Sequence, residues 1–219
     1  GAAPRVGDLV LAKVVRLGQH KHLELANGRK ARLFAGDEIV VVFGNRYAPD
    51  QFEAVIPNAL GPCHLVAAGG VVAGMTFKNA AVKAPTAIET LGLLADTDGR
   101  PVNLAAHALP RAPHGQRPRP PVIAVVGSSM NAGKTTTAAH LVRGLSAAGL
   151  AVGAAKVTGT GAGGDTWFLQ DAGAASVLDF VDAGVPSTYR LSAGEVKEVF
   201  TTIVDQLNRP GTDVIVLDV

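Results

Sequence analysis

The sequence predicts an α/β domain, a parallel sheet flanked by helices, preceded by a small β-rich domain of barrel or sandwich type. Three observations predict it. A β-branched run, Val122 to Val126, enters a glycine-rich loop that leads into an apolar-periodic helix and a second apolar run. Upstream, short alternating runs are separated by tight-turn residues, and no amphipathic helix stands out. Between the two lies a stretch with five prolines in twelve residues. The expected division is therefore 1–109, a linker over 110–121, and 122–219.

Composition bounds the function. The chain has 219 residues, 47% hydrophobic, 17% charged and 5% aromatic, with a net charge of +2. That apolar content excludes disorder along the whole chain. Every apolar run is broken well short of the ~20 residues that span a bilayer, so no membrane partner is expected. No signal-peptide pattern opens the chain, Gly1-Ala2-Ala3 reads as a processed or cloned start, and the single Cys63 has no partner for a disulfide. These features together point to the cytoplasm. Charge is uneven: residues 1–121 hold 14 Lys/Arg against 9 Asp/Glu, and residues 122–219 hold 6 against 9.

In the first domain Val6 to Leu17 is a long Val/Leu-rich strand. Leu23 to Leu33 alternates on both sides of Asn27-Gly28, a pair able to take φ > 0 at both centres of a type I′ turn, which predicts a hairpin. Glu38 to Phe43 is a third β-branched run. Cys63 to Ala68 and Val71 to Phe77, split by Gly69-Gly70, predict a second hairpin. Ile88 to Leu94, the Asp98-Gly99 turn and Val102 to Leu104 predict a third. His20, His22, Cys63 and His64 carry ligating atoms, but a metal site needs three or four that converge, and Gly18-Gln19 marks a surface turn. Lys21, Arg29, Lys30 and Arg32 make the first hairpin basic. Stacking aromatics are nearly absent there, so a solvated face is expected and nucleic acid is not.

The linker's prolines remove backbone donors and favour extended polyproline-II geometry, with Arg111, Arg117 and Arg119 in solvent. Beyond it, the uninterrupted Val122 to Val126 suits a parallel strand buried on both faces. It runs into Gly127-Ser-Ser-Met-Asn-Ala-Gly133-Lys134-Thr135-Thr136. A helix follows from Lys134 to Ala148, with Ala138, Leu141, Val142 and Leu145 three or four apart and Gly149 at its C′ position. Ala151 to Lys156 is the next strand. Strand, glycine loop, helix and strand make the context in which Gly-Lys-Thr predicts a phosphate-binding P-loop.

Each part has a physical role in that reading. A loop wrapped around a phosphate aims successive N–H groups inward, and Gly133 has no Cβ to obstruct the approach. The helix start adds unpaired N–H groups and the positive end of its dipole. Ser129, Met130, Asn131, Ala132, Gly133, Lys134, Thr135 and Thr136 are the candidate nucleotide-binding residues. Lys134 would bridge phosphate oxygens, and the Thr135 hydroxyl would ligate Mg²⁺.

Five residues separate Gly127 from Gly133, where a standard Walker A motif has four. This Gly-x5-Gly-Lys-Thr form resembles the dethiobiotin synthetase-like P-loop family, which also includes amidotransferases of cobalamin synthesis. Gly149-Leu-Ala-Val-Gly-Ala-Ala-Lys156-Val-Thr-Gly159 is similar to the stretch in which that family's second strand delivers a lysine. A P-loop protein of molybdopterin–guanine dinucleotide synthesis is similar in the same respect. The resemblance covers about residues 122–160 and implies that Lys156 projects toward phosphates or substrate. No Pro follows Lys156, Thr158 to Asp165 replaces the family's substrate loop, and Ser129 stands where partition ATPases carry an extra lysine. The resemblance is thus to the superfamily and not to one enzyme.

Two acids are candidates to complete a Mg²⁺ site. Asp165 follows the glycine-rich stretch, and Asp218 ends Asp213-Val-Ile-Val-Leu-Asp218, the form of a Walker B strand. Asp165 to Ala174 predicts a helix, Ala175 to Asp179 a strand and Val185 to Leu191 another. Ser192-Ala-Gly-Glu195 is a capping box opening a helix to Leu207, with Val196, Val199, Phe200, Ile203 and Leu207 as its buried stripe. Trp167 is expected in the core, with base stacking as its other use. The chain stops one residue after Asp218, so the domain is expected to be incomplete at its C-terminus, with an edge that another strand or a homodimer partner could cover.

The expected function is Mg²⁺-dependent binding and hydrolysis of a nucleoside triphosphate, coupled to ligation or group transfer on a small metabolite. Lys134 and Lys156 are the candidate catalytic residues; Thr135, Asp165 and Asp218 are the candidate metal ligands. No Asn/Thr-Lys-x-Asp guanine motif is present, which favours ATP and leaves GTP open. The alternative is a nucleotide-gated regulatory or assembly protein whose β domain grips a partner protein.

Overall fold

A computed structural model describes residues 3–110 and 118–219. It is a mixed α/β fold, with a large, mainly antiparallel sheet and a separate small parallel sheet. The chain forms two compact units. One holds the residues up to His107 together with Thr160–Ala162 and Gly184–Arg190; the other holds Ala108–Gly159, Gly163–Ala183 and Leu191–Val219. Linker residues 111–117, with Arg111 and Arg117, lie outside the described residues. Arg119 is not simply solvated: its Nη2 pairs with Asp205 Oδ1 at 2.8 Å.

The first unit contains β1 (Leu9–Arg16), β2 (His22–Glu24), β3 (Lys30–Arg32), β4 (Glu38–Phe43), β5 (Arg46–Tyr47), β6 (Phe52–Val55), β7 (Pro62–Leu65), β8 (Val71–Lys78) and β9 (Thr86–Leu93). Seven of these form one sheet in the order β4-β1-β9-β7-β8-β6-β5. A parallel pairing of Val42 with Val71 and Phe43 with Val72 joins β4 to β8, so five strands close into a ring. Period-2 alternation fills it: Val10, Ala12 and Val14 of β1 meet Val41, Phe43, Leu65, Val72 and Ile88. β2 and β3 pair only with each other.

Three details of this unit depart from the expectation. The β2–β3 turn is not type I′, because Gly28 has φ +79° while Asn27 stays at negative φ. The Gly28 N–H donates to Leu25 O and the Leu25 N–H to Arg29 O, the arrangement of a three-residue loop with glycine in the left-handed position. Val102 to Leu104 is not a continuous strand: Ala95–Pro101 and Asp8–Asn103 are isolated bridges, and Leu104–His107 is a 3-10 helix. Backbone bonds still tie it in, the Val102 N–H donating to Leu94 O at 2.8 Å and the Leu9 N–H to Val102 O at 2.9 Å, and Asn103 Nδ2 adds bonds to the buried Asp8 carboxylate at 2.8 Å and to Val6 O at 3.0 Å. Val185 to Leu191 forms no strand either. Tyr189 instead stacks on Tyr47, with ring centroids 5.5 Å apart, and donates its hydroxyl hydrogen to Glu53 Oε1 at 2.8 Å.

Gly69 makes room for the other segment that joins this unit, Thr160–Ala162. A Cβ there would lie 2.0 Å from the carbonyl oxygen of Gly161, and neither group is a flexible side-chain end. Gly69→Ala is therefore expected to destabilise the first unit by at least about 2 kcal/mol, read as a fall in the denaturation midpoint. An unchanged midpoint would show that the two backbones part easily.

The second unit contains β10 (Val122–Val125), α1 (Lys134–Ala147), β11 (Val152–Lys156), α2 (Gly164–Asp171), β12 (Ser176–Asp179), α3 (Ala193–Leu207) and β13 (Val214–Asp218). Its four strands are parallel, in the order β10-β13-β11-β12. α1 and α2 pack on one face through Ala138, Ala139, Val142, Leu169 and Ala172 against Val152, Ala154, Val214 and Val216. The path reverses after β12, and right-handed crossovers then place α3 on the other face, with Leu207 over Gly153.

Sequence and structure differ here at particular residues. β10 is an edge strand with Val122 40% exposed; the strand buried along its whole length is β13. An edge strand has one neighbour, so hydrophobicity alone does not bury it. The Ser192 capping box is present, but α3 buries Val204 and leaves Phe200 exposed. Trp167 and Phe168 are exposed as well, and Leu169 and Ala172 supply the core contact of this segment. Among the described residues no helix is long and apolar enough to cross a membrane.

Candidate functional site

The parallel register places Val125, Asp218, Lys156 and Asp179 in one row across the C-terminal ends of β10, β13, β11 and β12. In open α/β sheets this end faces the ligand crevice. The loop from Gly127 to Gly133 leaves β10 at the same end, and α1 begins directly after it.

Asp218 is the centre of the arrangement. Its side chain is fully buried; Oδ2 accepts a hydrogen bond from Thr135 Oγ1 at 2.6 Å and another from Lys156 Nζ at 2.9 Å. Its other oxygen, Oδ1, is buried without a partner among the described residues. An unsatisfied buried acceptor costs about 1–3 kcal/mol, and more when charged, so this atom has capacity for a donor or a cation.

Lys156 Nζ also lies 2.8 Å from Asp165 Oδ2, on the first turn of α2, and 3.5 Å from Thr135 Oγ1. The ammonium thus sits among two carboxylates and a hydroxyl. Burial by itself would lower its pKa, but the hydrogen bonds to Asp165 and Asp218 and their negative charges outweigh burial and hold it above the ordinary lysine value. The three proposed metal ligands, Thr135, Asp165 and Asp218, therefore meet around one point. They are hard oxygen donors of the kind Mg²⁺ takes, and the orphaned Asp218 Oδ1 fits such an ion.

The loop is shaped by two left-handed residues, Asn131 at φ +61° and Gly133 at φ +86°. Gly133 is the N-cap of α1, which has neither a side-chain cap nor an acid in its first turn. The helix start thus leaves N–H groups and its positive dipole end facing outward. Lys134 folds back over Gly127, where a Cβ would come within 2.9 Å of Lys134 Cγ, and its Nζ donates to Ser129 O at 2.9 Å. Ser129, Met130, Asn131, Ala132 and Thr136 are exposed around this loop.

One site neighbour escaped the sequence reading. Asp179 ends β12 beside Lys156, and its Oδ1 accepts the N–H groups of Val181 at 2.7 Å and Asp182 at 3.3 Å. Burial first, and then the nearby Asp182 charge, push its pKa up to about 6, against the pull of those N–H groups and of Lys156. The only advance signal was an acid ending an apolar run, the pattern that marked Asp218. Because its folded pKa is raised, Asp179 contributes stability that is present in acid and lost as pH rises from about 4 through about 6. Asp179→Asn keeps an acceptor for both N–H groups and is expected to remove that decline. Denaturant unfolding at a series of pH values checks it; a slope unchanged from the parent would assign the titration elsewhere.

The histidine and cysteine candidates of the first unit do not gather. The His20 ring lies tilted against Phe52, with centroids 5.8 Å apart, and burial and then the Arg46 charge push its pKa down to about 4. His64 Nδ1 accepts the Met75 N–H at 3.3 Å, and Cys63 is buried and free. Among the described residues no group of three or more His, Cys, Asp and Glu side chains is placed to hold a metal. No family model, no curated protein and no solved structure matches this chain.

Proposed function

We propose that the second unit is a P-loop nucleotide-binding domain that takes a nucleoside triphosphate, ATP in preference to GTP, together with Mg²⁺, and couples its hydrolysis to ligation or group transfer on a small metabolite. One observation carries the reading. The Thr135 hydroxyl, one residue into a helix that follows a left-handed glycine loop, is hydrogen-bonded to the buried Asp218 at the tip of the adjacent parallel strand. A strand-loop-helix phosphate cradle with a neighbouring strand-end carboxylate is what joint binding of phosphates and a hard cation requires.

The residues divide the work accordingly. The outward N–H groups of the loop and of the first turn of α1 would bind phosphate oxygens, and Lys134 would exchange the Ser129 carbonyl for them. Thr135 and Asp218, with Asp165, would hold the metal, which when bound supplies charge neutralisation of the phosphates. That requires Lys156 to leave the three oxygens, and its stem reaches from the end of β11 toward the same crevice. Freed from Asp165 and Asp218, the ammonium would orient an anionic group of the nucleotide or the metabolite. The buried floor of β11 and β13 excludes water beneath these groups. A reducing cytoplasm accords with the free Cys63.

Calorimetric titration of the purified chain with ATP and with GTP, each with and without Mg²⁺, tests this reading. Micromolar binding that depends on Mg²⁺ is expected, and its absence for both nucleotides would overturn the assignment. With binding in hand, a hydrolysis rate raised by a carboxylate or amine metabolite supports the enzyme. A rate raised only by a protein supports a nucleotide-gated regulator instead.

A further inference from the structure

We infer that the first unit carries a binding site of its own, a cationic groove for a small molecule bearing several phosphate charges. The groove encloses about 450 Å³, within the usual range for small-ligand sites, and Arg16, Lys21, Arg32 and Lys83 line it. No acidic residue lines it, and none of these four side chains takes part in an ion pair or side-chain hydrogen bond among the described residues. They come from three places in the chain: the end of β1, the β2–β3 ribbon and the segment before β9. Two residues of the same ribbon, Arg29 and Lys30, do not line it, so the gathering is not a general property of a basic hairpin.

The backbone under the charges is tied together. A Cβ on Gly18 would lie 2.2 Å from Ala84 O and 2.4 Å from Pro85 O, so the two segments are in direct backbone contact. The Gly18 N–H donates to Thr86 Oγ1 at 2.9 Å, and the Gln19 N–H to Ala84 O at 2.8 Å. The Thr86 hydroxyl in turn donates to His20 O, and the Leu33 N–H donates to Lys21 O at 3.0 Å. Four like charges thus stand over a braced floor, where a bound anion would relieve their repulsion. The field extends to His64, whose pKa is lowered by burial and further by the Arg16 charge.

A concave surface of one sign concentrates counter-ions of the other, and two guanidinium forks suit phosphate oxygens in particular. The absence of any aromatic lining removes the stacking platform that single-stranded nucleic acid uses, which favours a compact polyphosphate or phosphorylated metabolite.

Inorganic triphosphate is the probe, titrated calorimetrically without Mg²⁺ into the whole chain carrying Lys134→Ala, so that the contribution of the loop after β10 is cut and binding there is distinguished by its indifference to the arginine variants. Saturable binding that weakens with added salt is expected. Arg16→Gln and Arg32→Gln should each weaken it roughly tenfold, while Lys30→Ala on the same ribbon leaves it unchanged. All three positions are exposed, and an unaltered melting midpoint verifies each variant. Absence of binding up to millimolar probe, equal weakening by Lys30→Ala, or indifference to both arginine variants would overturn the inference. Affinity for oligonucleotides that grows with their length and exceeds that for triphosphate would overturn it in favour of a nucleic-acid track.

Discussion

Lys134→Ala is expected to weaken nucleoside triphosphate binding by roughly 100-fold, about 2–3 kcal/mol, while the fold is unaffected. The two halves of this expectation come from different observations. Among the described residues Lys134 makes one side-chain hydrogen bond, to the carbonyl of Ser129 on an exposed loop, so truncation removes no buried contact. In the proposed complex the same ammonium would face two phosphate groups as a point charge, with an uncapped helix start behind it. Equilibrium titration with ATP and Mg²⁺ measures the loss, and the melting curve measures the fold. Unchanged affinity would remove the P-loop assignment altogether.

Asp218→Asn is expected to act on both binding and stability. The buried carboxylate neutralises Lys156 and orders Thr135, and the amide keeps its shape but not its charge. Breaking a buried pair typically costs about 3–5 kcal/mol; because Lys156 keeps Asp165, a loss of about 2 kcal/mol is expected here. The functional loss should be specific. ATP affinity in the variant should match that of the parent without Mg²⁺ and should no longer respond to the metal. A variant that loses stability yet retains full Mg²⁺ dependence would make Asp218 a structural counter-ion of Lys156 and nothing more. The converse, intact stability with lost metal dependence, would show that Asp165 alone satisfies the lysine.

Comparison of these two positions shows how far local pattern reaches. Lys134 and Thr135 stand out because strand, glycine loop and helix are contiguous, so their chemistry is written within fifteen residues. Asp218 was found by the same means, as an acid ending an apolar run, although its hydrogen bond to Thr135 spans 83 positions. Asp179 ends a similar run, yet its meaning depends on the pairing of β12 with β11, which puts it opposite Lys156. Nor does a local pattern say which face a residue turns outward. Trp167 and Phe200 are as apolar as Leu169 and Ile203, but the phase of each helix against its sheet buries the second pair and exposes the first.

Apart from the strand expected over Val185 to Leu191, the sequence by itself determined the order of elements in the second unit, the ends of α1 and α3 to within a residue, the strand-rich character of the first unit and the loop that carries the proposed chemistry. Those features follow from backbone preference, apolar period and capping, all of which act over a few residues. The tertiary structure decided the rest. It closed the first sheet through β4 and β8, drew residues 160–162 and 184–190 into the first unit, and set β10 at an edge. It also gathered Thr135, Lys156, Asp165 and Asp218 at one point, and four cations around one groove. Such placements depend on strand register and on which surfaces pack together. The energy that selects them comes from burying side chains distant in sequence, and only the folded chain brings those side chains into contact.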